Sequence, residues 1–419
     1  MRKTWRIAEF RALLVSYVIN RAGDVVGALA LAIIVLGATR SAIATAALFL
    51  ATQFVPGLVG PFLVARIGGI TPGRILPVCY LVEACVFLGL AAVARHTTVA
   101  LIIALAFADG TLAFAARSVT RATTASTLIP HDLMPEGKAA FNVALAAATV
   151  AGPVLGGAVL ALLGPTTALA ADGVSFLVAA LLILCTRELR TPVAKNADSA
   201  GATRRRHLRA TFGYVAGNAS LRALVFGEGI AFIFFYLVVP VTVIYATRSL
   251  HAGPAGYAAI LASWGAGAVI GSAVHVRVAR RVGHAGVLIS TAAVAIAYLG
   301  TGLAPTLLVA CVCSVLGGMG NGTQWASVET AVHQLVDEQF RLRVSALLES
   351  MAAVAPGVGI VVGGALTALF SPRAAYLAAG AGLLALIGAA ALTRTSYRSF
   401  ASWTSYAWPG SRSASRAES

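Results

Sequence analysis

The sequence has few charged residues, and acids are the scarcest of them. Only 11% of its 419 residues are Asp, Glu, Lys or Arg, whereas about a quarter of a typical soluble domain is charged. The chain has 15 acids against 31 Lys and Arg. So few charged side chains cannot cover a soluble protein of this length. With 59% hydrophobic residues and a mean hydropathy of +0.87, the composition predicts an all-α protein that crosses a membrane many times.

Cysteine is also scarce, and its positions show no metal-binding or disulfide pattern. The five cysteines lie in or beside apolar runs, without a Cys-x-x-Cys pair and its histidine partners. The glycine-rich run 317–322 has no preceding strand and no lysine in Walker spacing, so it does not predict a phosphate loop. There is no HExxH motif and no convincing hydrolase elbow. We therefore expect no metal, no cofactor and no enzymatic activity.

The excess of basic residues gives a net charge of +16, which can indicate a nucleic-acid partner. Here the basic residues lie between apolar runs and not on one continuous stripe with aromatics, so we expect none. The segment 187–222 has eight Lys and Arg and only two acids. Such a segment must lie in water. It predicts a basic cytoplasmic linker between an N-terminal bundle, 1–186, and a C-terminal bundle, 223–393, and we expect the basic cytoplasmic tail at 394–419 to be disordered.

Twelve apolar windows are each long enough, at roughly 20 residues, to cross a bilayer. The first continues to about residue 37, which predicts a retained helix and not a signal peptide. The windows are 12–36, 43–65, 76–94, 98–116, 141–163 and 167–186 before the basic segment, and 223–246, 256–276, 285–303, 306–328, 345–369 and 374–393 after it.

The distribution of basic residues predicts the orientation of these spans. With a cytoplasmic N-terminus, the external connections carry only Arg40, Arg95, Arg248 and Arg373. Of the remaining Lys and Arg, 26 fall on the cytoplasmic side and one, Arg21, lies within a span. Cytoplasmic loops carry such an excess in membrane proteins. We therefore expect both termini in the cytoplasm and a location in the plasma (inner) membrane.

The two sets of six windows also repeat each other. Residues 156–165 align with residues 363–372, and the polar loops 132–136 and 334–338 precede them at similar positions. Duplication of a six-helix unit is typical of transporters whose binding site lies between the repeats. Chance similarity between two helices rich in glycine and alanine is the alternative.

Ionisable residues inside spans are costly and are therefore functional candidates. Asp24 lies about halfway along the first span, and Arg21, three residues earlier, is on the same helix face. Burial favours the neutral acid and the guanidinium favours the carboxylate, so Asp24 can carry a proton in exchange for an ion pair. The alternative is a fixed ion pair that locks helix packing. Gly23 is expected to let a neighbouring helix or a substrate approach closely.

The positions of the other intramembrane acids predict lesser roles for them. Glu228, near the start of the seventh span, is a second candidate for proton coupling, or else a hydrated residue at a cavity mouth. Asp172 is expected to cap the sixth helix near its external end or to bind a loop. Glu83 and Asp109 are expected to pair with nearby arginines such as Arg117 or Arg121. Glu329 and Glu349 are expected to be gate or packing groups.

Two further sets of residues are candidates for gating and for the substrate cavity. In the fifth span, Gly152, Gly156 and Gly157 permit close helix contact and Pro153 bends the helix, as a gate requires. Large apolar side chains in spans one, four, seven and ten are expected to shape the cavity, although lipid-facing or packing roles are equally open. These are Phe232, Phe234, Phe235, Tyr236 and Trp325.

At these residues the chain resembles the major facilitator superfamily. The element Gly152-Pro153-x-x-Gly156-Gly157 is similar to that superfamily's antiporter motif, with Ala148 where a glycine usually leads it. The loop after the second span resembles the signature loop: Arg66 and Arg74 stand for its basic residues, and Ala65 occupies the place of its aspartate. Arg277, Arg280 and Arg281 resemble the second-half copy of that loop.

Three stretches are similar to the branch of macrolide-efflux proteins and the enterobactin exporter. They are residues 20–24, the run from Ala115 through Arg117 to Asn142, and residues 171–177. The resemblance implies a twelve-helix transporter that exports a hydrophobic or amphipathic small molecule against entering protons, and we expect it to be a monomer in the lipid bilayer. It adds Arg117 to the gating residues. An importer or uniporter of the same fold, or a non-transporting scaffold or sensor, remains the alternative, and a lipid-modifying enzyme is a distant third.

Overall fold

The computed structural model describes residues 4–67, 70–93, 98–186, 211–282 and 285–392, and this part of the chain contains helices and no strand. The N-terminal half begins with four long helices: α1 (Ala8–Thr39), α2 (Ala42–Ile67), α3 (Pro72–Val93) and α4 (Val99–Leu128). Helix α2 contains a π-helical turn at Leu50–Phe54. A short 3-10 turn, Ile129–His131, follows α4.

A single helical stretch, Met134–Leu184, completes this half. Its 51 residues would measure about 76 Å as one straight helix, more than twice the hydrocarbon thickness of about 30 Å. Gly164 interrupts it with φ 82° and ψ 172°, a conformation that glycine adopts without steric cost, and Pro165 starts the next helix. The stretch is therefore two spans, α5 (134–163) and α6 (165–184).

The C-terminal half repeats this arrangement. Helix α7 runs through Ala219–Leu237 and Val239–Ile244 and ends in a π-helical turn, Tyr245–Ser249. It is followed by α8 (Gly253–Val282), α9 (Ala285–Leu303), α10 (Leu307–Leu335), α11 (Glu338–Leu369) and α12 (Pro372–Leu392). Eleven helices of the described chain are long and apolar enough to cross a membrane, and the break at Gly164 makes twelve spans of them. The predicted all-α polytopic fold is confirmed.

The helices are longer than the apolar windows predicted. Helix α4 continues twelve residues past its predicted end to Leu128, and α5 begins at Met134, seven residues before its predicted start. Helix α7 begins at Ala219, inside the predicted linker, after a short helix at 211–217. Most of the linker, 187–210, and the tail from residue 393 lie outside the described residues. Hydropathy marks only the apolar part of a helix, whereas backbone hydrogen bonding continues into the polar region.

Small residues bring the helices of each half into backbone contact. Gly318 and Gly322 of α10 lie against the carbonyl oxygens of Trp264 and Ala268 in α8. Ser272 Oγ in α8 also donates to the Gly322 carbonyl at 3.2 Å. Any side chain at these two glycines would collide with the neighbouring backbone. The glycine-rich run 317–322 is therefore a helix-packing face, consistent with the rejection of a phosphate loop.

The paired glycines of the internal repeat have matching roles in the two halves. Gly156 of α5 packs against α1 at Val26 and Leu29, and Gly363 of α11 packs against α7 at Leu237. The second glycine of each pair faces the other half: Gly157 meets Ala258 of α8, and Gly364 meets Ala46 of α2. The repeat in sequence is thus a repeat in packing.

The two halves meet mainly at one end of the molecule, which we name the closed end. It holds the ends of α1 and α7, where Arg248 Nη2 donates to the Arg40 carbonyl at 2.6 Å. The helix pairs α5–α8 and α2–α11 pack there, whereas the described helices share no comparable packing between halves at the opposite, open end. The space between the halves is therefore sealed at the closed end.

Candidate functional site

The centre of α1 carries a carboxylate between two cationic side chains. Arg21 Nη1 donates to Asp24 Oδ2 at 3.2 Å, and Arg117 Nη1, from α4, lies 3.8 Å from the same oxygen. The exposed fractions of the side chains are 36% for Arg21, 29% for Arg117 and 15% for Asp24. Asp24 therefore has two guanidinium partners at a partly exposed position.

Three further acids gather behind Asp24, and we call the four the acid cluster. Glu83 comes from α3, Asp109 from α4 and Asp172 from α6, and each interacts electrostatically with Asp24. Arg117 lies within electrostatic range of Glu83 and Asp109 as well. Glu83 and Asp172 are fully buried. In the described structure no hydrogen bond reaches either carboxyl oxygen of Glu83, Oδ1 of Asp109 or Oδ2 of Asp172.

Asp172 lies between helices and does not cap α6 or bind a loop, contrary to the sequence-based expectation. A Cβ on Gly23 would lie 2.5 Å from Asp172 Oδ1, and a Cβ on Gly27 would overlap Oδ2. Ser175 Oγ donates to Asp172 Oδ1 at 3.3 Å. The two glycines of α1 leave the room that this carboxyl group occupies. Gly23 thus admits a neighbouring helix, and that helix is α6.

The described part of the C-terminal half holds one buried acid, Glu228, in a network of neutral partners. Gln324 Nε2 of α10 donates to Glu228 Oε2 of α7 at 2.7 Å. Gln324 Oε1 accepts from Ser290 Oγ of α9 and from Thr291 Oγ1, the latter at 3.1 Å. Glu228 is buried and its Oε1 has no partner in the described structure. Glu228 is therefore enclosed by the bundle and does not lie at a hydrated cavity mouth.

The predicted gating residues of α5 lie on two contact surfaces. A Cβ on Gly152 would lie 3.0 Å from the Val25 side chain of α1, so this glycine, like Gly156, faces the helix that carries Asp24. Gly157 faces α8 of the other half. Pro153 is buried within the helix. One helix turn of α5 thus touches both the acid-bearing helix and the opposite half.

The predicted cavity aromatics occupy different surroundings. Phe235 is buried in the C-terminal core, with its ring 6.3 Å from that of Phe232, and Phe234 packs on Gly382 of α12. Tyr236 faces the opposite half, because its phenol lies within electrostatic range of Arg21. The side chain of Trp325 lies outside the described part of the structure.

The basic residues of the predicted signature loop lie at the open end. Arg66 lies in the last turn of α2 and Arg74 in the first turn of α3, and both are exposed. Among the described residues neither forms an ion pair. The side chains of Arg277, Arg280 and Arg281, the second-half copy, lie outside the described part. The gating role of this loop therefore stays a prediction.

The structure brings together residues that the sequence left separate. Glu83, Asp109 and Asp172 join Asp24 at one site, although each was given a minor role. Their common signal was available, since each is an acid in an apolar span of the same half. The network of Gln324, Ser290 and Thr291 around Glu228 was missed. The one sign of this network in the sequence was Gln324, an amide within the apolar tenth span.

Comparison with protein families gives one match over nearly the whole chain. The family described as transmembrane secretion effector, within the major facilitator superfamily, matches residues 4–414. A comparison with curated protein sequences finds no significant match.

Solved transporter structures share the fold at low sequence identity. The nucleoside transporter NupG is 12% identical with a TM-score of 0.66, covering 91% of this chain and 98% of its own. A POT family transporter in complex with a thioalcohol conjugated peptide is 10% identical with a TM-score of 0.70, covering 92% and 96%. A bacterial homologue of the iron transporter ferroportin, in its inward-facing state, is 14% identical with a TM-score of 0.65, covering 90% and 98%. At these identities the likeness concerns the fold alone.

Proposed function

The chain belongs to the transmembrane secretion effector family of the major facilitator superfamily, and on that premise we propose that it exports a hydrophobic or amphipathic small molecule in exchange for protons. The family description supports secretion as the direction. Transport proceeds by alternating access, in which the two halves rock about a site between them. The open end faces the cytoplasm of a bacterial-type cell, both termini lie on that side, and the protein works as a monomer in the plasma membrane.

The observation that carries this proposal is the position of Asp24 between Arg21 and Arg117. A carboxylate near the middle of a span is costly unless it is paired or functional. Here it is paired, yet 15% of the side chain remains exposed, so water and protons reach it. Protonation of Asp24 removes the charge that holds both guanidinium groups. The ion pairs then separate, and α1 and α4 lose one of the links between them.

This change is communicated to the other half through Arg21. The Arg21 guanidinium interacts with the Tyr236 phenol of α7, so its release from Asp24 alters the surface that faces the cavity. Gly152 of α5 packs on Val25, the residue after Asp24, and Gly156 packs on Val26 and Leu29, two and five residues after it. Gly157 then meets α8 of the opposite half. Protonation at α1 thereby biases the contact that closes the molecule, as proton coupling requires.

Glu228 is the second proton-coupling candidate in this proposal. Its Oε2 accepts from Gln324 while its Oε1 is buried without a partner in the described structure, an arrangement that also suits a neutral acid. Its surroundings contain no described guanidinium partner, so protonation there breaks no ion pair. We therefore assign the main coupling role to Asp24 and Arg21 and a supporting role to Glu228.

Everted membrane vesicles that contain the protein test the proposal. Respiration acidifies their interior, and a fluorescent weak base reports the pH gradient. A panel of lipophilic dyes and antibiotics is added one compound at a time, with Asp24→Asn as the coupling variant and Glu338→Gln, an exposed acid of α11, as the matched control. We expect a transported compound to accumulate in the vesicles and to partly collapse the gradient, for the wild type and Glu338→Gln but not for Asp24→Asn.

The competing functions give different results in the same vesicles. An importer moves the compound out of everted vesicles together with protons. A uniporter equilibrates it and does not respond to an uncoupler. A scaffold or sensor leaves both the gradient and compound distribution unchanged with every compound. Continued uphill accumulation after the uncoupler is added contradicts proton exchange.

A further inference from the structure

The interior of the N-terminal half has more acids than cations. The acid cluster contributes four carboxyl groups, whereas Arg21 and Arg117 are the guanidinium groups that face it among the described residues. Fully ionised, the group would carry an excess of two negative charges. An uncompensated charge in an apolar interior is so unfavourable that a buried carboxylate takes up a proton instead.

The contacts separate the four acids into two kinds. Asp24 contacts both guanidinium groups, and Asp109 lies within electrostatic range of Arg117. Glu83 and Asp172 are 0% exposed. Neither oxygen of Glu83 and only one oxygen of Asp172 has a hydrogen-bond partner in the described structure. The cluster is therefore electrically neutral when Asp24 and Asp109 are ionised beside the two arginines and the other two acids are protonated.

Other groups near Glu83 do not supply the missing cations. On α3 itself Cys79 and Tyr80 lie close to Glu83, and both are neutral groups. Helices α1, α4 and α6 present Asp24, Asp109, Asp172 and Arg117 to it. No set of three or more His, Cys, Asp or Glu in the described chain is arranged to hold a metal ion. The exchangeable cation that suits these unpartnered oxygens is the proton.

We infer that Glu83 and Asp172 each hold a proton inside the N-terminal half, and that Glu83 is a second proton-carrying residue that exchanges with Asp24 through Arg117. This inference rests on the proposed proton coupling and adds a residue and a route to it. Glu83 is fully buried near the midpoint of α3, and Arg117 lies within range of both acids. Asp172, held against Gly23 and Gly27, stays neutral throughout.

The exchange keeps the total charge of the cluster constant. A proton from water binds a carboxylate oxygen of Asp24, and the Arg117 guanidinium loses its partner at 3.8 Å. Arg117 then turns to Glu83, whose carboxyl group releases its proton to water admitted by the other state of the transporter. One O–H bond forms at Asp24 and one breaks at Glu83. The reverse step restores the starting arrangement.

Infrared difference spectroscopy on the purified, lipid-reconstituted full chain tests this inference without a substrate. The measured signal is the carbonyl stretch of protonated carboxyl groups at neutral pH, identified by its shift in deuterated water. We expect Glu83→Gln and Asp172→Asn each to remove one component of this signal. Glu338→Gln, an exposed acid, should leave it unchanged. Glu83→Asp, which retains a carboxyl group and guards against misfolding as the explanation, should move its component and not remove it.

The exchange with Asp24 has its own outcome in the same spectra. The Asp24→Asn variant imitates a protonated Asp24 and frees Arg117. It should therefore weaken the infrared component of protonated Glu83, which is the component that Glu83→Gln removes. A Glu83→Gln spectrum identical to the wild-type spectrum overturns proton storage at Glu83. A full Glu83 component in Asp24→Asn overturns the exchange. Failure of the vesicle experiment alone refutes proton-driven export and leaves these spectra to decide where the protons reside.

Discussion

The interiors of the two halves share a fold but differ in their polar chemistry. The N-terminal half encloses four acids and two arginines, with two ion pairs to a single carboxylate. Among the described residues of the C-terminal half, Glu228 is the buried acid, and it accepts from Gln324, an amide that itself accepts from two hydroxyl groups. The same six-helix unit therefore holds ion pairs in one copy and neutral hydrogen bonds in the other.

Aromatic hydroxyl groups strengthen this contrast. In the C-terminal half Tyr245 Oη donates to the Thr301 carbonyl at 2.5 Å, and the Tyr376 hydroxyl is 2.9 Å from Thr242 Oγ1. The Tyr298 ring stacks on Trp264 with centroids 5.6 Å apart. These contacts tie α7, α9 and α12 together without any charge.

The largest expected effect comes from removing a cation from the charged half. Arg117→Leu leaves Asp24 with one guanidinium partner, so we expect transport in everted vesicles to fall to background. Breaking a buried charged pair costs about 3–5 kcal/mol, and the 29% exposure of Arg117 reduces that loss. The matched change in the other half, Gln324→Leu, removes a neutral donor. It should lower the free energy of unfolding by about 1–3 kcal/mol. Equal transport loss in both variants would break the comparison.

The next effect separates packing within a half from closure between halves. Gly156→Leu should lower the melting temperature because the side chain collides with α1, whereas Gly157→Leu should mainly hold the closed end open because it collides with Ala258. A cavity of about 690 Å³ at that end is lined partly by Gly37 and Arg40. A Leu36→Cys reporter, at a buried position in the lining of the same cavity, in a cysteine-free background should react faster with an impermeant maleimide in Gly157→Leu.

The outcome that would contradict this division is equally specific. Unchanged maleimide reaction in Gly157→Leu would mean that α5 and α8 do not control closure. The equivalent substitution in the second half, Gly364→Leu, faces Ala46 and serves as the symmetric control. Both interface variants should behave alike if the repeat in sequence is also a repeat in mechanism.

A smaller effect is expected from the neutral network. Tyr376→Phe removes the hydroxyl that faces Thr242 at 2.9 Å, a loss of about 1 kcal/mol in stability. Because no charge changes, the rate of transport should remain close to that of the wild type. Thermal unfolding and vesicle transport measured on one preparation give both values. A strong loss of transport at nearly unchanged stability would show instead that this hydroxyl pair takes part in the transport cycle.

The smallest effect is expected at the exposed basic loop. Arg74→Ala and Arg66→Ala remove side chains without an ion-pair partner among the described residues. Exposed substitutions of this kind usually change stability by less than about 0.5 kcal/mol. We expect near-normal transport in vesicles for both. A strong loss of transport at unchanged melting temperature would support the gating role that the resemblance implies.

Particular residues show how much of the candidate site could be predicted from the sequence. Arg21 and Asp24 were paired correctly because three residues on a helix fix their relation locally. Arg117 was predicted as a partner for Glu83 or Asp109 and, through the resemblance, as a gating residue, but its contact with Asp24 was missed because it joins positions 93 residues apart. Asp172 was assigned to a helix end because its contact with Gly23 and Gly27 depends on how α1 and α6 cross. Glu83 and Asp109 were left as separate pairs for the same reason.

The sequence by itself determined the membrane class, the twelve spans and the duplication. Each of these follows from local hydropathy, from periodicity, or from similarity between two stretches of one chain. Only the tertiary structure decided which acids share a cluster, which glycine faces the other half and which end of the molecule is closed. Those features depend on helix crossing and rotation, which are set by packing among side chains far apart in the chain.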